Sequence, residues 1–130
     1  MTVATHDLDI RVRYCECDPM GVAHHASYLV WFEMGRTELL RSLGGSYREM
    51  EAEGVLLAVI SLEVRYHAPA RYDDLLSLRT TLAGGSRVKL EHAYELSLDG
   101  RKLVTGRTVL ACLDGDGRPR PLPDALVPAD

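Results

Sequence analysis

Only one long stretch of this chain repeats its apolar residues at helical spacing. From Ser27 to about Leu43, the residues Leu29, Phe32, Leu39, Leu40 and Leu43 share one helix face. Gly44 and Gly45 end that helix. Ser46 with Glu49 makes a capping-box pattern for a short second helix that stops at Gly54. Nearly everything else reads as strand. Residues 55–66 are apolar and then alternate through Leu62, Val64 and Tyr66, until His67-Ala68-Pro69 breaks the run. Residues 75–82, 87–98 and 102–113 follow as three further strands, with Gly84-Gly85 and Asp99-Gly100 as turn dipeptides. Ahead of the helix, Leu8, Ile10, Val12 and Tyr14 alternate with Asp9, Arg11 and Arg13, which predicts a half-buried strand ending at Tyr14. One strand, a long helix and four strands in meander order make an α+β pattern. Gly35, in mid-helix, carries a cost of about 1 kcal/mol relative to Ala. Close approach of the helix to the sheet and a merely tolerated glycine explain it equally well.

At 130 residues the chain is expected to form one domain, 1–130, with a single core. An irregular surface tail holding four prolines is expected from about residue 114. The N-terminus shows no basic segment followed by an apolar run, so the expected location is the cytoplasm. The three cysteines, Cys15, Cys17 and Cys112, are an odd number, and two of them are two residues apart, which argues against a disulfide framework. A net charge of −4 counts against nucleic acid as the main partner, although a local basic patch on an acidic protein can still hold phosphates.

The chemistry concentrates between Tyr14 and Thr37, in YCECDPMGVAHHASYLVWFEMGRT. Asp18 precedes Pro19, which biases it towards an extended backbone. A glycine turn and two histidines then lead into the helix. An acid beside a helix N-terminus can attack or activate at a carbonyl while backbone N–H groups hold the oxygen that becomes negative. The N–H groups of residues 24–26 are the expected donors, aided by the helix dipole. Tyr28 and Trp31 are candidates to line an acyl or aromatic tunnel, although an aromatic on such a helix is more often core packing. Glu33 and Arg36, three residues apart, predict an ion pair on one helix face.

This stretch resembles the acyl-CoA thioesterases of the hotdog-fold superfamily, in particular the 4-hydroxybenzoyl-CoA thioesterase-like and YbgC-type branch. Their signature runs aromatic-x-x-x-Asp-x-x-Gly-x-x-x-His-x-Asn-Tyr, followed by an aromatic-rich helix with Glu and Arg. Tyr14, Asp18, Gly21, His25, Tyr28, Phe32, Glu33 and Arg36 match it in spacing. Ser27 replaces the usual Asn, and both are good N-cap residues. The resemblance implies a hotdog fold, a curved five-stranded antiparallel sheet wrapped around a long helix. It implies hydrolysis of an acyl-CoA thioester without metal or organic cofactor, in a homodimer or homotetramer whose site lies between subunits. It places Asp18 as general base or nucleophile, with His25 and Tyr14 as its catalytic companions. Arg87 and Lys89 fall where related enzymes hold the phosphates of CoA, and Tyr66, Pro69 and Asp74 match an architectural segment. No membrane insertion is implied.

Two alternatives stand beside this assignment. Cys15-x-Cys17 with His24-His25 would suit a zinc hydrolase, but residues two apart on a strand lack the turn that wraps a cysteine pair around one ion. A hotdog module that binds acyl-CoA or acyl carrier protein without turnover is the rival from another class.

Overall fold

The computed structural model describes residues 4–126. Strand β1 spans Thr5–Arg11, helix α1 Ser27–Ser42 and the short helix α2 Tyr47–Ala52. Strands β2 to β5 then span Leu56–Tyr66, Leu75–Gly85, Lys89–Leu98 and Arg101–Leu113. They form one antiparallel sheet in the order β1-β3-β4-β5-β2. The sheet therefore departs from a plain meander. β3, β4 and β5 are consecutive hairpins, but β2 lies at the far edge against β5, and residues 67–74 carry the chain across to β3. That crossing segment runs past the start of α1, where Ala23 N–H donates to Ala70 O at 2.8 Å and Val22 bridges Arg71.

The alternation expected of half-buried strands is present. Leu76, Leu78 and Thr80 of β3 and Leu90, His92, Tyr94 and Leu96 of β4 face inward, while their neighbours face solvent. α1 packs on this inner face through Trp31, Phe32 and Leu39, all essentially buried. Phe32 stacks on Tyr94 with ring centroids 4.3 Å apart. α2 is capped as its sequence implies, with the Ser46 hydroxyl accepting from Glu49 N–H. The Asp99-Gly100 turn places both residues at positive φ, which suits the tight β4–β5 hairpin.

Three local expectations are corrected. β1 ends at Arg11, not Tyr14, because Val12 exchanges hydrogen bonds with Asp73 and Asp74 and residues Tyr14–Glu16 turn into a 3₁₀ helix. The N-cap of α1 is Ala26 in helical conformation without a side-chain cap, so Ser27 is the first helical residue. The tail after Asp114 is irregular but does not merely lie on the surface. Arg120 N–H bonds Cys112 O, Leu122 N–H bonds Arg87 O, and Leu122 and Leu126 join Leu40, Met50, Val55 and Leu90 in a second core cluster. Pro128, the last tail proline, and both ends of the 1–130 span lie outside the described residues.

Gly35 is decided by the packing. A Cβ there would collide with the hydroxyl of Thr80 and sit 2.7 Å from Leu78 Cδ2, so the glycine permits the close approach of α1 to β3. Gly35→Ala is expected to lower unfolding stability by about 1–3 kcal/mol, despite better helix propensity, as measured by urea titration.

His92 sits beneath the same helix at 4% exposure, with its Nδ1 unpartnered among the described residues. Burial, reinforced by nearby Arg36, pushes its pKa down from 6.5 to about 4. Between those values the unfolded chain binds a proton that the folded protein refuses, so stability is complete above pH 6.5 and is lost as pH falls towards 4. Thermal or urea unfolding should show a slope of at most about 1.4 kcal/mol per pH unit from this group. His92→Phe should flatten that window.

Candidate active site

Asp18 is half-buried in a strap between the 3₁₀ turn and α1. Its own N–H donates to Val22 O at 2.8 Å, and its Oδ1 accepts from Met20 N–H at 2.8 Å. Gly21, at φ +81°, closes this turn by donating to Asp18 O. Oδ2 has no protein partner among the described residues, so one carboxylate oxygen is fixed and the other is available.

The strap, the start of α1 and the end of β2 enclose a groove of about 360 Å³. Asp18, His25 and Tyr28 line it together with Tyr66, His67, Ala68 and Pro69. Tyr28 forms its buried wall. Its hydroxyl accepts from Ala70 N–H at 3.1 Å, its ring meets Tyr66 edge-on at 5.3 Å, and burial raises its pKa above the ordinary phenol value. Tyr66 donates from its hydroxyl to His25 O at 3.2 Å, tying β2 to the helix entry. His24 and His25 are exposed and stack at 4.2 Å.

The expected oxyanion donors are mostly engaged. His24 N–H donates to Glu16 O, and Ala26 N–H donates to the His24 ring at Nδ1. His25 N–H alone of the three has no acceptor among the described residues. His25 directly precedes the N-cap Ala26, at the positive end of the helix dipole, and lines the groove.

Other predicted residues lie elsewhere. Trp31 is fully buried and donates its indole N–H to Glu16 Oε2 at 2.7 Å, so in this subunit it is core and not groove lining. Tyr14 is 81% exposed and packs edge-on against Tyr72 at 5.3 Å, outside the groove lining. Arg87 and Lys89 are exposed at the opposite end of the sheet. Tyr66 pairs with Val104 and Lys89 with Ala111, seven residues further along β5, which is about 23 Å at the strand rise. The Glu33–Arg36 pair is present at 3.6 Å. Cys15, Cys17, His24 and His25 supply no group of three ligands placed to share one ion among the described residues.

A depression of about 350 Å³ lies on the sheet face away from α1, lined by Glu63, Arg65, Arg79, Glu95 and Arg107. Its charges are largely paired within the sheet, Arg79 bidentately to Asp7 and Arg107 to Glu91. It holds no acid beside a helix end. The Asp18 groove does.

A family model for the thioesterase-like superfamily matches residues 12–129, a span that contains every element of this groove. The chain belongs to that superfamily. Acyl-CoA thioester hydrolase YbgC of Escherichia coli is 33% identical over 120 residues, covering 91% of this chain and 90% of the relative. YneP of Bacillus subtilis is 39% identical over 88 residues, 68% of this chain but only 64% of that relative's length. Among solved structures, the DHNA-CoA thioesterase of Staphylococcus aureus superposes with a TM-score of 0.88 at 33% identity, covering 91% of this chain and 80% of that one. The five-stranded sheet with its helix is thus the hotdog fold. What the sequence pattern left unassigned is the part played by Tyr66 and His67 as groove lining. The signal was the break in the strand run at His67-Ala68-Pro69, which marks where β2 ends beside the helix.

Proposed function

We propose that the protein is an acyl-CoA thioesterase, a single hotdog domain that hydrolyses an acyl-CoA thioester to free acid and CoA. The observation that carries this is that Asp18 and His25 line one groove, and that among the described residues one Asp18 carboxylate oxygen and the His25 N–H have no partner. The thioester carbonyl sits in that groove with its oxygen towards the His25 N–H, where the helix dipole favours developing negative charge. Asp18 either takes a proton from water as the water oxygen bonds to the carbonyl carbon, or bonds to that carbon itself. In both routes the tetrahedral intermediate collapses by breaking the C–S bond, and CoA leaves as a thiolate that is then protonated. In the second route water then hydrolyses the Asp18 anhydride, releasing the acid and restoring the carboxylate. The exposed imidazole of His25, at the groove, is placed to hold or deliver the thiolate's proton. Tyr28 and Tyr66 present aromatic surface to the acyl group.

The three free thiols suit a reducing compartment, consistent with the cytoplasm. No helix among the described residues is long and apolar enough to cross a membrane. Asp18→Asn keeps the shape of the turn but supplies neither base nor nucleophile. It is expected to reduce thiol release from acyl-CoA esters about a thousandfold with an unchanged circular dichroism spectrum. Wild-type turnover in that variant would remove Asp18 from the mechanism, and saturable ester binding without release by the wild type would favour a binding module.

The protein acts as a homodimer, the basis of any tetramer. β2 is an edge strand paired only with β5, and it exposes Val59, Ile60, Leu62 and Tyr66. α1 exposes Val30 and Met34, one turn apart. A mostly apolar edge strand of eleven residues, paired on one side only among the described residues, invites association with a second copy. Light scattering should give twice the chain mass or more, and Ile60→Lys with Leu62→Lys should shift the protein towards monomer and lower turnover.

A further inference from the structure

The reaction scheme leaves one buried acid unused. Glu16 is 7% exposed, two residues before Asp18, and its carboxylate is surrounded by donors. Oε1 accepts from Arg13 N–H at 2.7 Å. Oε2 accepts from the Trp31 indole N–H at 2.7 Å and from the Arg13 guanidinium at 3.3 Å. The backbone carbonyl of the same residue accepts from His24 N–H and from the Ser27 hydroxyl, both at 2.8 Å. Glu16 therefore joins three pieces of the site: the turn leading to Asp18, the segment that presents the His25 N–H, and the first two turns of α1.

We propose that Glu16 is a positioning residue for the thioesterase reaction, setting the separation between the Asp18 carboxylate and the His25 N–H through Trp31 and the helix entry. This rests on the thioesterase assignment made above. The chemistry of the pair favours it. A buried carboxylate is costly unless every lone pair is used, and an apolar core at this position would need neither the acid nor the indole N–H. Together they fix one register of α1 against the strap, which an apolar contact would leave free to slide. Burial works against the charge here, but the Arg13 N–H, its guanidinium and the Trp31 N–H outweigh it and hold the carboxyl below its usual range. Glu16 is thus an anion throughout the neutral range and acts as an acceptor only. An amide in its place would turn an NH₂ towards either the Arg13 or the Trp31 donors, breaking one side of the link.

Trp31 is the one tryptophan of the chain, so its fluorescence reports this contact without a label. The test uses the full chain as wild type, Glu16→Gln, Trp31→Phe and the double variant. Thiol release is assayed with benzoyl-CoA and butyryl-CoA, tryptophan emission is recorded for wild type and Glu16→Gln, and amide hydrogen exchange is followed over residues 17–28. Glu16→Gln is expected to shift the emission, to speed exchange at the Asp18 and His24 amides, and to lower kcat about 100-fold with KM little changed. Trp31→Phe, which removes the indole N–H together with part of the buried ring, should give a smaller loss of the same kind. The double variant should be no worse than Glu16→Gln alone, because both changes break one link. Wild-type kcat and wild-type exchange in Glu16→Gln would overturn the proposal, as would a double variant whose losses multiply. If Glu16→Gln does not fold, Trp31→Phe decides: an unchanged kcat and unchanged exchange there overturn it. If the wild type releases no thiol from either ester, the thioesterase assignment is what fails. Exchange over residues 17–28 then judges Glu16 alone, and unchanged protection counts against it.

Discussion

Two glycines govern how near α1 comes to the sheet. At Gly35 the helix backbone lies against Leu78 and Thr80 of β3, and at Gly106 the β5 backbone lies under the ring of Phe32, where a Cβ would sit 2.5 Å from Cε2. A side chain at either place would lift the helix. At its present depth Trp31 and Phe32 are fully buried, each contributing roughly 1.5–3 kcal/mol by removal from water. The same depth sets the N-terminal end of α1 level with the strap that carries Asp18. Core packing and site geometry are in this sense one constraint.

The crossing of residues 67–74 from the β2 edge of the sheet to β3, the strand beside the opposite edge, does the rest. A plain meander would have left the entry of α1 open to solvent. Instead Ala70 accepts from Ala23 and donates to the Tyr28 hydroxyl, so the crossing segment becomes the groove's second wall. The result is a site whose polar groups are sorted. Most buried donors and acceptors there are spent on one another, while Asp18 Oδ2 and the His25 N–H have no partner among the described residues, and both residues line the groove. A preorganised site of this kind needs little rearrangement as charge develops on a bound carbonyl.

The sequence made the helix, the short capped α2 and the strand periods plain, because each rests on local spacing. It also carried the Tyr14 to Arg36 signature. What it could not carry was set by contacts between distant residues. Tyr14 continues the alternation of Leu8, Ile10 and Val12, yet the strand ends earlier because Val12 is captured by the Asp73-Asp74 turn. Ser27 looks like a cap, but its hydroxyl is drawn to Glu16 O and it becomes helical. Trp31 is placed by Glu16, fifteen residues earlier, and no periodicity encodes such a pair. Leu122 and Leu126 in a proline-rich tail give no local sign that Leu40 and Leu90 lie beneath them. The order of β2 in the sheet belongs to the same class, since strand patterning is silent on which edge a strand joins.

That edge position also bears on how a long, charged substrate would be held. The groove lies at the Tyr66 end of β2, and the exposed Arg87 and Lys89 lie near its Leu56 end, so one subunit alone separates the acid from those two cations by most of the sheet. In the proposed dimer the β2 edges pair antiparallel about a two-fold axis, and antiparallel pairing sets the Leu56 end of one strand beside the Tyr66 end of the other. Each groove would then face the end of the other copy's sheet that carries the same two cations. The acyl group and the phosphates of one ester would thereby be held by different chains. In the proposed dimer, the exposed apolar edge of β2 would be the feature that joins two half-sites into complete ones.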